Sequence, residues 1–233
     1  MNKLKFSIAA LSLFTLFSTN VQAQDKSEKE PKESTAEALP KFALSLNGGA
    51  TFSYTDVKPQ KTGLTVGIGA AYFATPYLHA NLDLQKGWLK GGEKIDVNNV
   101  MGSDNSYFSA TITARFLPLG LIKNNTGAMK YLSGIYGGVG VGILSNSVKS
   151  NKIISSDYGS LGDYSGVSFM VPIEGGINIP VATLSSGSRI LVNLNYRVNL
   201  CMSDKIDGYV PIVEANKKND AFNALTAGVV FNF

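Results

Sequence analysis

The chain has few of the residues that usually carry catalysis, metal binding or cross-links. Its 233 residues include one cysteine, Cys201, and one histidine, His79. A single cysteine cannot close an internal disulfide. No run of the sequence matches a calcium loop, a phosphate-cradling glycine motif or a metal-ligand cluster. The sequence therefore predicts neither a metal nor a cofactor.

Charge is also scarce. Charged residues make up 16% of the chain, against roughly 25% in typical soluble domains. The formal net charge is +4, and glycine and aromatic residues are abundant, with 24 Gly, 12 Phe and 10 Tyr. So weak a positive excess argues against a nucleic-acid partner. Low charge with many glycines and aromatics suits lipid-facing strands that are joined by tight turns.

Long hydrophobic runs are missing beyond the N-terminus. Residues 1–23 have the form of a signal peptide, with Lys3 and Lys5, an apolar core over 8–17 and the cleavage sequence Val21-Gln22-Ala23. That core is too short to span a bilayer as a helix, although an uncleaved N-terminal anchor is the alternative. No later run reaches the roughly 18 apolar residues of a membrane helix. We therefore predict a mature chain from Gln24 and exclude a helical membrane protein.

The mature chain divides into two parts. Residues 24–40 mix charges of both signs with two prolines and have almost no apolar residues, which predicts a disordered periplasmic leader. Residues 41–233 form one predicted domain, in which apolar and polar residues alternate. In the last segment, for example, Leu225, Ala227 and Val229 share a face with Phe231 and Phe233, because strand side chains point to opposite faces in turn.

Eight such segments predict an antiparallel transmembrane β-barrel. Their predicted connections are long on one side, at 55–63, 89–106, 145–164 and 201–221, and shorter on the other, at 75–77, 117–131 and 181–188. This asymmetry is typical of outer-membrane barrels, which have long extracellular loops and short periplasmic turns. A soluble β-barrel is the alternative, but its apolar face would point inward. Here one face is bulky and apolar while the other is Gly, Ser, Thr and Asn, so we expect the apolar face to contact lipid.

Several sequence features resemble a known family. They are Phe116-Leu117-Pro118, Lys130-Tyr131-Leu132, the run Gly137-Gly138-Val139-Gly140-Val141-Gly142 and the terminal Phe233. Together with the signal peptide and eight strands, they are similar to the small outer-membrane β-barrels related to the OmpA and OmpX transmembrane domains. Because nothing follows Phe233, we expect no OmpA-type peptidoglycan-binding domain.

The resemblance implies a location and partners. It places the protein in the outer membrane of a Gram-negative bacterium, as a monomer surrounded by outer-membrane lipid. It implies that periplasmic chaperones and the barrel assembly machinery handle the chain, with Val229, Phe231 and Phe233 as the C-terminal assembly signal. It carries no catalytic residue and no extracellular ligand over to this chain.

Two sets of residues are candidates for chemistry. His79 could serve a Ser–His–acid arrangement, but serines are too abundant for that match to be informative, and we interpret it as a lumen filler in a protein that is not an enzyme. Charged residues on the predicted lumenal face form the second set: Asp83, Arg115, Glu174, Arg189 and Arg197. Buried ions must pair, and a tight turn at Ser185-Ser186 would set Glu174 opposite Arg197. This network either plugs the bore, which we favour, or rearranges as an ion gate.

The predicted third and fourth loops carry mixed charge and tyrosines, including Lys149, Tyr164, Lys205, Asp207 and Asp220. Loops on a rigid scaffold often carry binding. We therefore predict a non-enzymatic surface barrel that contributes to envelope integrity, adhesion or recognition. The alternative is a narrow porin-like channel for small or apolar solutes.

Overall fold

A computed structural model describes residues 40–55, 59–94, 100–121, 127–150, 159–211 and 219–233. The predicted signal peptide and nearly all of the predicted leader lie outside these residues. The described residues of the domain form a closed barrel of eight antiparallel strands. The fold class predicted from the sequence is thereby confirmed.

The strands are long and follow one another around the barrel. Their bounds are β1 Phe42–Tyr54, β2 Gln60–Thr75, β3 Leu78–Lys94, β4 Val100–Phe116, β5 Ile135–Ser150, β7 Tyr164–Thr183, β8 Arg189–Cys201 and β10 Ala221–Asn232. Two short strands outside the barrel, β6 (Gly159–Leu161) and β9 (Tyr209–Pro211), pair with each other. Closure comes from β1 and β10, where Phe42 and Phe233 exchange backbone hydrogen bonds of 3.1 and 2.9 Å.

The apolar faces of the strands point outward. Val141, Val167 and Phe169 are 66%, 69% and 71% exposed, although an apolar surface of this kind is strongly unfavourable in water. The opposite faces line the lumen, as the alternation predicted. None of the helices in the described part of the chain has the length and apolar character needed to cross a bilayer.

The connection after β4 contains helical structure that the sequence did not predict. A 3-10 helix covers Pro118–Leu121 and a short helix, α1, covers Met129–Leu132. Leu117 is buried beside this connection, and its amide donates to the carbonyl of Tyr77 in the neighbouring turn. We call the end of the barrel that carries these turns the turn end, and the opposite end the loop end.

Of the predicted loops at the loop end, those at 89–106 and 145–164 were too long, whereas 201–221 agrees with the end of β8 and the start of β10. β3 and β4 continue through the predicted loop at 89–106 and remain paired to Lys94 and Val100, and β5 extends to Ser150. The reason is a reversal of polarity. In this zone the outward residues are mostly polar and inward positions include the apolar Leu89, Leu144 and Val148, so a search for outward apolar residues ends each strand too early.

Candidate functional site

The lumen holds a cluster of four charged side chains, which we call the ion cluster: Asp83, Arg115, Glu174 and Arg197. Arg115 Nε lies 2.6 Å from Glu174 Oε1, and Arg197 Nη2 lies 2.7 Å from Glu174 Oε2. Arg197 Nη2 also lies 2.6 Å from Asp83 Oδ2, while Arg115 Nη2 lies 3.5 Å from the same oxygen. Two arginines and two carboxylates therefore balance each other in the middle of the barrel.

Glu174 is the centre of the ion cluster. Its side chain is fully buried and accepts further hydrogen bonds from Thr113 Oγ1 at 2.9 Å and Asn195 Nδ2 at 3.0 Å. Glu174 and Arg197 are direct partners in the register of β7 and β8, as the turn at Ser185-Ser186 predicted. Since removing one partner would leave a buried charge uncompensated, the cluster holds the surrounding strands in one arrangement.

The glycine-rich β5 makes room for this cluster. Gly138 is the register partner of both Arg115 and Glu174. A Cβ atom at this position would lie 3.2 Å from Arg115 Cγ and 3.2 Å from Glu174 Cγ, closer than side chains normally pack. The run of alternating glycines in the sequence is therefore the local signal for bulky groups on the facing strands.

The remaining members of the predicted sites lie elsewhere. Arg189 is the first residue of β8, at the turn end, and pairs in register with Thr183 and Asn232. It is eight residues from Arg197 along the strand, so the structure does not bring it to the ion cluster. Val229, Phe231 and Phe233 share the outward face of the last strand, and the rings of Phe231 and Phe233 stack with centroids 5.8 Å apart.

A second layer, of opposite chemistry, fills the lumen at the loop end. We call it the apolar layer, and its buried members are Leu89, Tyr107, Leu144, Met170, Cys201, Ile206 and Phe222. The rings of Tyr107 and Phe222 lie 5.0 Å apart. Gly87 faces Tyr107 across the strand pair, and a Cβ atom there would lie 2.5 Å from the phenol ring. The sequence interpretation missed this layer.

The fourth connection closes this layer from above. Ile206 is 1% exposed, and its amide donates to Asp220 Oδ2 at 2.9 Å. Asn105 Nδ2 donates to the Ile206 carbonyl at 2.7 Å, and Ser103 Oγ to the Asp207 carbonyl at 2.6 Å. The segment 202–208 therefore folds into the barrel mouth.

This arrangement corrects one expectation for the loops. Asp207 and Asp220 are buried, at 5% and 4% exposure, because Asp207 lies in the segment 202–208 and Asp220 hydrogen-bonds to its backbone. They are not part of an open recognition surface. Tyr164 and Lys205 do meet, with the Lys205 ammonium 5.6 Å from the ring centroid.

His79 lies far from the mouth, at the turn end of β3. Its ring packs edge-on against Phe73 with centroids 4.2 Å apart, and its register partner on β4 is Arg115. The described residues contain no group of three or more His, Cys, Asp or Glu able to hold a metal ion. The geometry around His79 is that of a packed side chain.

Asparagines occur in both layers. Asn146 and Asn199 are 2% and 1% exposed, and none of their side-chain nitrogen and oxygen atoms has a hydrogen-bond partner within the described ranges. Buried amides of this kind are normally satisfied by ordered water. Single oxygens of Asn47, Asn105, Asn195 and Asn232 share this property.

No family model and no curated protein matches the chain. Among solved structures, Neisserial surface protein A is similar over 84% of this chain and 100% of its own, with 15% identity and a TM-score of 0.51. Ail, the attachment invasion locus protein of Yersinia pestis, covers 84% of this chain and 100% of its own, with 13% identity and a TM-score of 0.46. OprG from Pseudomonas aeruginosa is similar over 84% of this chain and 97% of its own, with 8% identity and a TM-score of 0.40. The first likeness shows the fold of a small eight-stranded outer-membrane barrel, as the resemblance in the sequence implied.

Proposed function

We propose that this protein is a non-enzymatic, closed β-barrel of the Gram-negative outer membrane that contributes to envelope integrity or surface recognition. The observation that carries the proposal is the filled lumen. The ion cluster occupies the middle of the bore, and the apolar layer with Ile206 occupies its mouth. A barrel of eight strands has an interior just wide enough for side chains, so these two layers leave no open pore through the described part of the lumen.

Membrane residence is supported by the outer surface. On β3 the outward apolar positions begin at Leu78 and end at Trp88, with Lys86 as the one interruption. This span rises roughly 25 Å along the axis of a tilted barrel, the height of the apolar band in outer-membrane barrels. At the turn end the ring of Phe42 contacts the rings of Tyr72 and Phe233, where an interfacial aromatic girdle belongs. The predicted signal peptide agrees with export through the inner membrane.

The assignment as a non-enzyme rests on the state of its candidate groups. His79 is packed against Phe73, Cys201 is buried in the apolar layer, and Asp83 and Glu174 are held by two arginines. All four groups are buried among the described residues, where a substrate would not meet them. The surface at the loop end is then the part of the molecule available to an outside partner.

The second candidate, a narrow channel, is favoured by one observation. Asn47, Asn105, Asn146, Asn195 and Asn199 carry buried, unpartnered amide atoms in the described lumen. Such groups could pass water or a small solute if the side chains of the apolar layer moved. Its route would still have to pass Arg197 and Glu174.

Conductance of refolded protein in planar bilayers tests the two candidates. For a closed barrel we expect no steps above the bilayer background with the parent protein. The matched variant is Ile206→Gly, which opens the mouth but leaves the ion cluster in place, and it should also stay silent. Defined conductance steps in the parent would overturn the closed barrel and establish the channel. Recovery of the native protein in the soluble periplasmic fraction would overturn both.

A further inference from the structure

A row of lysines crosses the outside of the barrel at the loop end. Lys61, Lys90, Asp104 and Lys149 are successive register partners on β2, β3, β4 and β5. All four side chains are exposed. Lys90, Asp104 and Lys149 alternate with buried residues of their strands and so point outward, and Lys61 pairs with Lys90 beyond an irregularity between Lys61 and Thr65. We call this set the lysine row. Three ammonium groups and one carboxylate leave an excess of two positive charges.

The lysines of this row repel one another. Lys61 and Lys90 stand directly opposite each other across β2 and β3, and like charges at such positions are destabilising. Asp104 lies on the other side of Lys90 and cannot neutralise three lysines. An anion placed over Lys61 and Lys90 would convert this repulsion into attraction.

The row lies just above the apolar band. Trp88 is two residues before Lys90 on the same face and is 41% exposed, at a position typical of interfacial tryptophan. Lys86, which interrupts the apolar face, directs its ammonium to Ser106 Oγ at 2.7 Å. Ser106 is the register partner of Trp88, so Lys86 reaches toward the loop end as a snorkelling lysine does.

Near the loop end of the other strands, the described outward residues include no cation: Tyr54 on β1 and Leu200 on β8 are neutral, and Ser165 on β7 follows the exposed Asp163. Lys205, in the connection after β8, lies over the ring of Tyr164. A one-sided cationic row beside an apolar band fits a ligand that has both an anionic head and acyl chains. A free anion has no acyl chains that could contact the apolar band.

We propose that the lysine row binds the phosphorylated head group of an outer-leaflet lipid whose acyl chains lie against the apolar face of β2 to β5. The proposal rests on membrane residence as proposed above. Lysines act here as point charges, so the interaction reads phosphate charge and not the shape of the sugar or glycerol unit.

Refolded full-length mature protein in phosphatidylcholine nanodiscs, with and without diphosphoryl lipid A, tests this proposal. Native mass spectrometry counts retained lipid A, and the thermal midpoint reports stability. We expect the parent to retain lipid A and gain stability from it. Lys90→Gln should weaken retention about fivefold, since each lysine near an anionic surface contributes on the order of 1 kcal/mol, and Lys61→Gln/Lys90→Gln/Lys149→Gln should abolish it.

The sign of the effect in the absence of lipid A is a second readout. In phosphatidylcholine alone, Lys61→Gln should raise the midpoint, because it removes the repulsion from Lys90 and leaves Asp104 opposite Lys90. Lys41→Gln is the matched control, as Lys41 is an exposed lysine at the turn end, and it should change neither retention nor midpoint. Monophosphoryl lipid A should be retained more weakly than the diphosphoryl lipid.

Three outcomes would overturn the proposal: equal retention by the parent and the triple variant, an equal loss in Lys41→Gln, or the same stabilisation by inorganic phosphate at matched ionic strength. If any of these occurs while the protein still inserts and migrates faster unheated than boiled, membrane residence stands and only the lysine row fails. Failure to insert would overturn both proposals.

Discussion

Two zones of the same strands carry opposite polarity. In the lower part of β5, Val139, Val141 and Ile143 point outward while Gly138, Gly140 and Gly142 point inward. In the upper part of the same strand, Ser145, Ser147 and Lys149 point outward, and Leu144 and Val148 are buried inside. The side chains continue to alternate between the two faces, but the polarity of the outward face changes from apolar to polar between residues 143 and 145.

This reversal of polarity shows where the surroundings of the strands change. Apolar side chains lie on whichever face is away from water. In the lower zone that face is outside and the lumen is filled by polar groups. In the upper zone that face is the apolar layer under Ile206, as in a soluble barrel. The level of the reversal, near Trp88 and the lysine row, therefore marks the proposed upper boundary of the bilayer.

The largest effect is expected from breaking the ion cluster in the lower zone. Glu174→Gln leaves two arginines facing Asp83 alone, and Arg197→Met leaves two carboxylates facing Arg115 alone. Each change should lower the free energy of unfolding by roughly 3–5 kcal/mol, measured in urea, because it leaves a buried charge without its partner. The double variant retains one charge of each sign and should recover part of that loss, as contacting residues do.

Arg189→Met is the matched control for this prediction. Arg189 has the same parity on β8 as the inward Arg197, but it lies at the turn end. It forms no ion pair with any of the described residues. Its replacement should change stability by no more than about 0.5 kcal/mol. Strictly additive effects of Glu174→Gln and Arg197→Met would show that the two side chains do not interact.

A smaller effect should distinguish the two zones on the outside. Val141→Lys places a charge in the middle of the apolar band and should cost about 2–4 kcal/mol in a lipid bilayer. Ser165→Lys places the same charge on the neighbouring strand β7 above the reversal, where it should have almost no effect. Equal costs at the two positions, measured by urea unfolding in vesicles, would remove the bilayer boundary inferred from the reversal.

The smallest effect concerns the cap of the upper zone. Ile206→Ala removes the side chain that closes the apolar layer, at a cost toward the lower end of the roughly 2–5 kcal/mol of such truncations, because the segment can settle into the space. The expected result is faster amide hydrogen exchange in 203–208, with a fall in the urea midpoint that is smaller than the fall for Glu174→Gln. Met202→Ala, at an exposed position of the same segment, should leave exchange unchanged. Unaltered exchange in Ile206→Ala would mean that Ile206 does not hold the cap.

Part of the site could be predicted from the sequence because side-chain direction along a strand is a local property. Asp83, Arg115, Glu174 and Arg197 were placed in the lumen by alternation alone. The apolar layer was missed because Leu144 and Met170 are ordinary apolar residues whose inward direction contradicts the polarity of their own strands lower down. Ile206 lies outside the barrel strands, so no periodicity applies to it.

Alternation in the sequence by itself determined the strand number, the outward apolar face and the set of lumenal charges, since each depends only on neighbours along the chain. The partners within the lumen were decided by the tertiary structure. Arg197 on β8 reaches Asp83 on β3, 114 residues away, although these strands are not adjacent in the barrel. Only closure of the sheet brings opposite walls within reach, because contacts across the bore depend on the tilt and stagger of all eight strands together.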